Sequence, residues 1–453
     1  MLNVVVLAAG KGTRMRSNKP KVLHRLAGVS LLDHVLDTAR SLNAERLCVV
    51  IGHEAEQVRQ SISAPDIIFV EQNPQLGTGH AVQLTAEYLL DDVPTIILYG
   101  DVPLIQTETL QRLVARVNEQ QLALLTVQLN DPTGYGRIVR NEQAAVIKIV
   151  EQKDATVDQL LIDEVNTGIL VAPTRALKRW LSQLSNQNAQ AEYYLTDVVA
   201  MAVADGLTIE TEQPAAEWET MGVNSQTQLA QLERIYQQQI AQELMTQGVG
   251  LADPARIDVR GELVCEMEVS IDVNCVFEGH VQLEEGVLIG ANCVIRNAHI
   301  GKGTQVAPFT HIDGATVGEL AKIGPFARLR PEAVLADHTH IGNFVEIKKS
   351  TIGHGSKVNH LAYVGDTIVG KSVNIGAGVI TCNYDGVNKH QTIIGDDAFI
   401  GSDCQLVAPV TIGAGATIGA GSTITKEAPA NELTLARGRQ VTIAGWKRPV
   451  KNS

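Results

Sequence analysis

Short apolar runs alternate with longer amphipathic segments along the first half of the chain. The apolar runs have the continuous hydrophobic character of strands buried on both faces, and they lie at 4–7, 47–51, 67–70, 96–99, 122–127 and 169–171. Helix-like stretches lie between several of them, at 31–42, 78–90 and 107–118. The alternation predicts an α/β domain over residues 1–224, with a Rossmann-like, mostly parallel sheet and helices on both sides.

The clearest helical pattern in the chain follows this region. Apolar residues recur there at three- and four-residue spacing, at Leu229, Leu232, Ile235, Tyr236, Ile240 and Leu244. The spacing predicts a helix over 225–245, with Ser225 as its N-cap and Gln247-Gly248 at its end. Because the sequence pattern changes after this helix, we interpret residues 225–247 as a helical linker between two domains.

A six-residue repeat dominates the sequence after the linker. An aliphatic residue followed by glycine occurs thirteen times between Ile289-Gly290 and Ile418-Gly419, and many spacings are multiples of six or within one residue of them. A six-residue period fits one short strand plus one turn, and three such units close a triangular coil of about 18 residues. We therefore expect residues 248–453 to form a parallel β-helix, with aliphatic, Ala and Ser side chains inside and Gly or Asn at tight turns.

The repeat is interrupted between Gly376 and Ile394. The segment ITCNYDGVNKHQT brings polar, turn-forming residues into the regular pattern. A loop that leaves a regular coil is a natural place for a binding group, so we expect this excursion to carry function.

Composition excludes two classes of partner. The chain has 453 residues, a formal net charge of −13 and only 4% aromatic residues. Nucleic acids and membrane surfaces are anionic, so the acidic balance argues against binding to either of them. The low aromatic content also weakens any prediction of base stacking.

The cysteines and the N-terminus indicate the compartment. The six cysteines are scattered without a C-x-x-C pair, which favours free thiols over a zinc site or a disulfide framework. No run approaches the ~18 apolar residues of a membrane helix. The apolar start precedes the first basic residues, which is the reverse of a secretory signal. We expect a cytoplasmic protein without membrane insertion.

A glycine-rich turn follows the first predicted strand. Residues 8–15 read AAGKGTRM, and glycine lets backbone N–H groups approach an anion closely. The turn lacks both the P-loop pattern and the third glycine of a dinucleotide fingerprint. Arg14 and Lys21 add two cations near it, which favours a triphosphate ligand over a plain surface turn.

Asp101 is the candidate metal ligand. It follows the predicted strand 96–99, and open α/β sheets bind ligands beyond the carboxyl ends of their strands. A hard cation such as Mg²⁺ needs a carboxylate there and takes water and phosphate oxygens as its other ligands. The alternative role is a helix cap before Val102-Pro103.

Basic residues cluster within the repeat region. Four cations surround Glu346 in an otherwise acidic chain: Arg328, Arg330, Lys348 and Lys349. Alternate residues of a strand share a face, so Glu346 and Lys348 point together. His360 follows close in the coil register, and imidazole is suited to taking a proton from an amine near neutrality. A purely structural prism is the alternative.

Several motifs together resemble a known family. The turn at 7–15 with Pro20-Lys21 is similar to the sugar nucleotidyltransferases, and the further motifs are Gln72, 75–80, 99–103 and 166–168. With the hexapeptide half, they narrow the resemblance to bacterial enzymes that combine N-acetylglucosamine-1-phosphate uridyltransferase with glucosamine-1-phosphate acetyltransferase activity. The resemblance covers essentially the whole chain, and it implies that the β-helix is left-handed.

The resemblance implies roles for residues of the first domain. Arg14 and Lys21 are the implied catalytic cations, and Asp101 and Asn224 the implied Mg²⁺ ligands, although an Asn before a helix is more often a cap. The implied binding residues for UTP and N-acetylglucosamine 1-phosphate are Leu7, Ala8, Ala9, Gly10, Lys21, Gln72, Gly77, Thr78, Tyr99, Gly100, Asp101, Gly136, Glu151, Asn166 and Asn224. The sugar phosphate would attack the α-phosphorus of UTP and release pyrophosphate, with no protein nucleophile.

The resemblance also implies a second site between adjacent prisms of a homotrimer. His360 is the implied general base of acetyl transfer. The implied glucosamine 1-phosphate ligands are Arg330, Lys348, Tyr363 and Asn374. The implied acetyl-CoA ligands are Ala377, Asn383, Tyr384, Ser402, Ala420 and Arg437, and the second arginine of Arg437-Gly438-Arg439 leaves that last contact open.

Acetyl transfer at this site is expected to be direct. Attack of the amine on the thioester forms an oxyanion, which a backbone or tyrosine donor stabilises. Cys382 is disfavoured as an acyl-enzyme nucleophile because no base neighbours it in the sequence.

Two other functions stay open at this point. The first is a uridyltransferase whose prism only trimerises it. The second is a scaffold or carbohydrate-binding prism attached to an inactive α/β domain. The intact segment 10–14, with Asp101 and Asn224, speaks against the second.

Overall fold

The structure is a computed structural model that describes residues 1–62 and 64–451. It divides into two compact units, Met1–Tyr236 and Gln237–Ser453, and the division falls within the predicted linker. The exact domain boundaries given above stay a prediction.

The first unit contains a mixed sheet. Its strands, β1 to β11 in chain order, are Asn3–Leu7, Arg25–Leu26, Val29–Ser30, Arg46–Ile51, Ile67–Glu71, Pro94–Tyr99, Gln121–Gln128, Arg137–Arg140, Val146–Val150, Glu164–Pro173 and Thr208–Glu212. The main sheet runs in the order β11-β7-β10-β6-β1-β4-β5, and β2 and β3 form a separate hairpin. Only β10 runs antiparallel to its neighbours on this path. The prediction of a mostly parallel α/β sheet is confirmed.

Helices cover both faces of this sheet. Helices α1 to α8 are Leu31–Ser41, Ala55–Ser61, Thr78–Gln83, Thr107–Val114, Val157–Leu160, Thr174–Leu181, Asp197–Ala204 and Gln226–Thr246. Two apolar clusters, one on each side of the sheet, bury alternate side chains of β1, such as Val4 and Val5. Helix α3 is shorter than the predicted 78–90, because the chain continues as a separate 3₁₀ turn at Ala86–Tyr88.

The sequence pattern missed the antiparallel part of the sheet. The hairpin of β8 and β9 joins the main sheet through β10. In β10 only the second half is a continuous apolar run, while the first half is half-buried and carries Asn166 and Thr167. A pattern based on fully buried runs therefore finds 169–171 and not the rest of the strand.

Helix α8 has the predicted cap and the predicted end. The Ser225 hydroxyl accepts a hydrogen bond from the Gln228 amide at 3.3 Å, and the Gly248 amide donates to the Met245 carbonyl. In the first unit Leu232 of this helix is buried, and in the second unit Leu244 is buried.

The second unit is a parallel β-helix. Its strands, β12 to β38, are Gly250–Leu251, Ile257–Cys265, Ser270–Ile271, Cys275–Leu283, Leu288–Ile289, Val294–Ile300, Gln305–Val306, His311–Asp313, Thr316–Val317, Lys322–Ile323, Arg328–Leu329, Val334–Leu335, His340–Asn343, Glu346–Lys348, Thr351–Ile352, Lys357–His360, Tyr363–Gly365, Thr367–Val369, Asn374–Ile375, Ile380–Cys382, Thr392–Ile394, Phe399–Ile400, Gln405–Val407, Val410–Ile412, Thr417–Ile418, Thr423–Ile424 and Leu433–Thr434. One face is a ladder of eleven parallel strands, and a second ladder supplies the other two faces. The repeated aliphatic residues fill the interior, as predicted.

The register measures the length of each coil. Ile323 pairs with Ile341, and Ile341 with Val358, so successive coils take 18 and 17 residues. Ile375 pairs with Ile400, a step of 25 residues. The longer step confirms that the excursion predicted from the broken repeat leaves the coil at this point.

The repeated glycines have a different cause from the predicted one. Most of them, including Gly376, lack a positive φ, and the left-handed turn positions belong to other residues such as Asn292 and Phe326. A Cβ on Gly376 would lie 2.6 Å from the backbone nitrogen of Ser402 in the next coil. Glycine is required there because stacked coils approach each other closely, and not because the chain turns.

None of the helices in the described ranges is long and apolar enough to cross a lipid bilayer.

Candidate functional sites

A cleft of about 330 Å³ opens at the carboxyl ends of the central strands of the first unit. Most of the implied uridyltransferase residues line it: Leu7, Ala8, Ala9, Gly10, Lys21, Gln72, Gly77, Thr78, Tyr99 and Asp101. Leu7 ends β1 and Tyr99 ends β6, and the Gly100 amide donates to the Leu7 carbonyl at 2.9 Å. Pairing of two parallel strands therefore brings together segments that lie about a hundred residues apart.

Lys21 joins the two implied metal ligands. Its Nζ lies 2.5 Å from Asp101 Oδ2 and 3.1 Å from Asn224 Oδ1. The side chains of Lys21 and Asp101 are 13% and 14% exposed, so this pair is largely shielded from water. Neither Asp101 nor Asn224 caps a helix, because Ser225 caps α8 and both side chains turn towards the ammonium group.

Two glutamines shape the part of the cleft beside α3. The Gln72 side chain donates to the Gly77 carbonyl at 2.9 Å, and the Gln75 side chain donates to the Ala9 carbonyl at 2.6 Å. Gln75 therefore ties the glycine-rich turn to the loop that precedes α3. In the sequence, Gln75 belongs to the motif 75–80 but has no predicted role of its own. Its position two residues before Gly77 was the signal that could have placed it in the cleft.

Glu192 is a cleft residue that the sequence did not indicate. It reaches the cleft because the Tyr193 amide donates to the Leu76 carbonyl and the Gly79 amide donates to the Tyr193 carbonyl. No motif or spacing connects residue 192 with residue 76, so only the fold reveals this contact.

A second group lies beside the cleft, at the antiparallel strands. The Asn166 amide donates to the Gly136 carbonyl at 2.9 Å, and the space beside the Gly136 Cα faces the Glu151 carboxylate. Burial raises the pKa of Glu151. The hydrogen bond from the Thr196 hydroxyl opposes this effect, but the effect of burial is larger. These three implied sugar ligands lie together, but they do not line the main cleft.

Tyr99 connects the two groups. Burial, and then the charges of Asp101 and Glu151, raise the pKa of its hydroxyl. Its ring packs on Gly168, whose φ of +88° and lack of a side chain allow the contact. Gly168 is held in turn by its amide hydrogen bond to the Asn166 side chain at 3.1 Å.

We expect Gly168→Ala to damage this connection. The new Cβ would lie 2.5–2.8 Å from atoms of the Tyr99 ring, and the positive φ is unfavourable for alanine. The variant should lose about 1–3 kcal/mol of stability. It should also raise the KM for the sugar phosphate more than the KM for UTP. Thermal unfolding and initial rates measure both effects, and a stable variant with unchanged KM values would contradict this account.

Arg14 lies apart from the cleft. It is exposed on the 3₁₀ turn Thr13–Met15. It is not one of the described residues that line the cleft. Met15 is buried and anchors that turn. The role of Arg14 as a catalytic cation stays a prediction.

The second unit aligns several implied residues in one column, one residue per coil. Asn343 and His360 pair in adjacent strands, and the register places Ala377, Ser402 and Ala420 at the equivalent positions of the next coils. The Arg437 guanidinium donates to the Ala420 carbonyl at 2.8 Å, so Arg437 contacts this column, and the choice between Arg437 and Arg439 as a cofactor ligand stays open. The side chains that follow His360 on this column, at Ala377, Ser402 and Ala420, are all small.

A charged cluster lies on the neighbouring face. Arg330 donates to Glu346 at 2.8 Å, and Lys348 donates to Asp366 at 3.1 Å. Asn383 donates to the same Asp366 oxygen at 2.5 Å and lies 3.5 Å from the Tyr363 hydroxyl. Of the implied glucosamine 1-phosphate ligands, Arg330, Lys348 and Tyr363 thus share one strand ladder, and Asn374 stands on the other, with the column of His360.

The sequence did not indicate two charged members of this cluster. Although burial opposes it, hydrogen bonds from Lys348 and Asn383 lower the pKa of Asp366, which favours the ionised carboxylate. Lys389 comes from the excursion and lies beside Lys348. Asp366 follows directly after the repeat pair Val364-Gly365, and that position was the only available signal for it.

The excursion folds back on itself and on the cluster. Tyr384 bridges to Lys389 as an antiparallel pair and is 61% exposed, while Asn383 is buried. Burial raises the pKa of the Cys382 thiol, which disfavours the thiolate. That direction agrees with acetyl transfer without an acyl-enzyme.

Family models match both halves of the chain. The MobA-like NTP transferase domain matches residues 4–206. The bacterial transferase hexapeptide (six repeats) matches 391–426, and the hexapeptide repeat of succinyl-transferase matches 280–307. The GMPPB C-terminal domain matches 315–398.

Curated relatives match over the full length. Proteins named bifunctional protein GlmU are 61% identical in Janthinobacterium sp. (strain Marseille) and 60% identical in Ralstonia nicotianae (strain ATCC BAA-1114 / GMI1000), each over 450 residues. Each alignment covers 99% of this chain and 99% of the relative.

Proposed function

The chain belongs to the family of bifunctional GlmU proteins, and from this membership we propose that it makes UDP-N-acetylglucosamine in two steps. The second unit transfers acetyl from acetyl-CoA to glucosamine 1-phosphate. The first unit then transfers uridylyl from UTP to the product and releases pyrophosphate. The observation that carries the proposal is the presence of two separate groups of residues: a cleft at strand ends in the first unit, and His360 beside a column of small residues in the second unit.

The donor set in the first cleft fits Mg²⁺. Asp101 Oδ2 and Asn224 Oδ1 converge on one point, which the Lys21 ammonium contacts. Mg²⁺ typically takes one or two protein oxygens and completes its shell with water and phosphate oxygens. In the described part of the chain no three His, Cys, Asp or Glu side chains converge on a metal position.

Uridylyl transfer at this site depends on alignment and charge. The glycine-rich turn with Gln72 and Thr78 orients the nucleotide, and Gly136, Glu151 and Asn166 orient the sugar phosphate. Lys21 neutralises phosphate charge near the reacting phosphorus. Mg²⁺, when bound by Asp101 and Asn224, supplies further neutralisation of the triphosphate. No side chain has to form a covalent bond.

Acetyl transfer depends on a base and on phosphate recognition. His360 takes a proton from the amine of glucosamine 1-phosphate as the nitrogen attacks the thioester carbonyl. Arg330 and Lys348 bind the phosphate group, with Tyr363 and Asn374 on the sugar. Acetyl-CoA lies along the column of small residues above His360, and CoA leaves as the thiol.

One coupled assay tests the two-step proposal. Glucosamine 1-phosphate, acetyl-CoA, UTP and Mg²⁺ are supplied together, and each is then omitted in turn. We expect CoA thiol release to need only the first two and pyrophosphate release to need all four. A protein that releases pyrophosphate but no thiol is a uridyltransferase with a structural prism. A protein that does neither is a scaffold.

The proposed homotrimer has a candidate contact surface on the second unit. The Phe strip, defined as Phe309, Phe326 and Phe344, stacks ring on ring at centroid distances of 5.0 and 5.3 Å, and the three side chains are 46–55% exposed. All three residues have left-handed φ near +60°, which is unfavourable for bulky side chains. Leu361, one coil further and next to His360, is 64% exposed. Exposed apolar strips of this kind mark protein contacts.

We expect Phe326→Asp to dissociate the trimer. A charged group at the centre of an apolar contact is left without a partner and costs several kcal/mol per interface. Sedimentation should show a monomer, and acetyl transfer should fall about tenfold or more while uridylyl transfer stays within twofold. Phe399→Asp is the matched control, because Phe399 is 49% exposed but lies outside the strip. If the Phe326→Asp variant stayed a trimer and kept full acetyl transfer, the Phe strip would not be the trimer contact.

A further inference from the structure

The neighbour of His360 along its column is a polar residue with no assigned role. Asn343 ends the strand His340–Asn343, and His360 ends the adjacent strand Lys357–His360, with the two residues in register. The His360 Nδ1 and the Asn343 Oδ1 are 2.7 Å apart. Ala377, the neighbour of His360 on the other side, has no side chain that can form a hydrogen bond. Of the two column neighbours, Asn343 is therefore the one that forms a hydrogen bond with this ring nitrogen.

The backbone holds this pair in place. The Leu361 amide donates to the Asn343 carbonyl at 3.1 Å, and both following residues, Phe344 and Leu361, take the left-handed conformation at the corner. A Cβ on Gly342 would overlap the Asn359 carbonyl group, so glycine at this position allows the close packing of the two coils. The Asn343 amide and the imidazole are therefore fixed at hydrogen-bond distance by the coil spacing.

We propose that Asn343 is a positioning residue that holds His360 in the tautomer that is active as a base. The imidazole Nδ1–H donates to the Asn343 Oδ1, so the proton resides on Nδ1 and the lone pair of Nε2 is free to take a proton from the amine. The proposal rests on the acetyltransferase function given above. It deepens that function by assigning the residue that orients the base.

The choice of an amide over a carboxylate has a chemical reason. A carboxylate in this position would accept the same hydrogen bond, but its negative charge would also favour the protonated imidazolium. Imidazolium cannot act as a base, so an aspartate would reduce the active fraction near neutral pH. Asparagine selects the tautomer without adding charge.

Other titratable groups near His360 need to be distinguished in the test. His340 lies on the same strand as Asn343, and burial, followed by the charges of Lys322, Lys357 and His360, lowers its pKa below the ordinary value. The lowered pKa separates His340 from an ordinary imidazole, and we expect the acid limb of acetyl transfer to report on His360.

The test compares three variants of the full chain. We expect Asn343→Ala to lower the kcat of acetyl transfer about 10- to 100-fold, with the KM for acetyl-CoA within about twofold, because the ring loses its tautomer and orientation. Asn343→Asp should recover most of the rate at high pH and move the acid limb of the profile up by about one pH unit. Asn292→Ala is the control, since the Asn292 side-chain Oδ1 also accepts a hydrogen bond between coils, from the Asn274 side-chain amide at 3.2 Å. It should leave the rate and the profile unchanged.

A spectroscopic measurement separates positioning from folding. The ¹⁵N shifts of His360, assigned by their loss in His360→Gln, should show a protonated Nδ1 in the parent chain and a shift towards protonated Nε2 in Asn343→Ala. Parent-like kcat, acid limb and tautomer in Asn343→Ala would overturn the proposal. If the parent chain releases no thiol from acetyl-CoA at all, the acetyltransferase function itself fails, and the tautomer measurement still decides whether Asn343 holds the ring.

Discussion

Asp101→Ala should abolish uridylyl transfer and leave acetyl transfer unchanged. The substitution removes the carboxylate that, with Asn224, forms the oxygen pair around Lys21. Electrostatic stabilisation of a transferring phosphoryl group by such a site is worth several kcal/mol, so we expect pyrophosphate release to fall about 10³-fold or more. Thiol release from acetyl-CoA should stay within twofold, because the second unit has its own site.

A matched aspartate variant controls for the loss of charge. Asp66 pairs with Arg40 at the surface of the same unit, at 2.9 Å, and is far more exposed than Asp101. Asp66→Ala should keep both activities. Isothermal titration with Mg²⁺ and UTP adds a binding readout, in which Asp101→Ala weakens Mg²⁺-dependent nucleotide binding. Full pyrophosphate release in folded Asp101→Ala would show that the metal site lies elsewhere.

His360→Ala should produce the opposite result. A general base of this type contributes about 10²–10⁴-fold, so acetyl transfer should fall by that factor while pyrophosphate release from UTP and N-acetylglucosamine 1-phosphate is unchanged. The remaining thiol release should increase with pH, because hydroxide then substitutes for the missing imidazole.

The control for this variant is another exposed histidine of the prism. His299 contacts Glu284 at 2.7 Å and lies in β17 on the other strand ladder, away from the His360 column. His299→Ala should retain both activities. If His360→Ala and Asp101→Ala each impaired both reactions equally in folded protein, the assignment of two independent sites would be wrong.

Much of the fold was readable from the chain because its signals are local. A buried strand needs a continuous apolar run, a helix with one buried side needs a spacing of three and four, and a coil of three strands needs a six-residue period. Those signals predicted β1, helix α8 and the prism. They missed the half-buried start of β10 and the β8–β9 hairpin, because mixed exposure leaves no simple period.

The site residues also fall into two groups, those with local sequence signals and those that only the fold brings together. The sequence by itself determined the glycine-rich turn, Asp101 at a strand end and the interruption of the repeat, since each depends on neighbours in the chain. Only the tertiary structure decided that Lys21 joins Asp101 to Asn224, that Glu192 reaches the cleft, and that Asn343 lies against His360. The physical reason is that these contacts depend on sheet order and on the length of each coil, which varies along the prism, for example from 18 to 17 residues, and is set by packing rather than by any single motif.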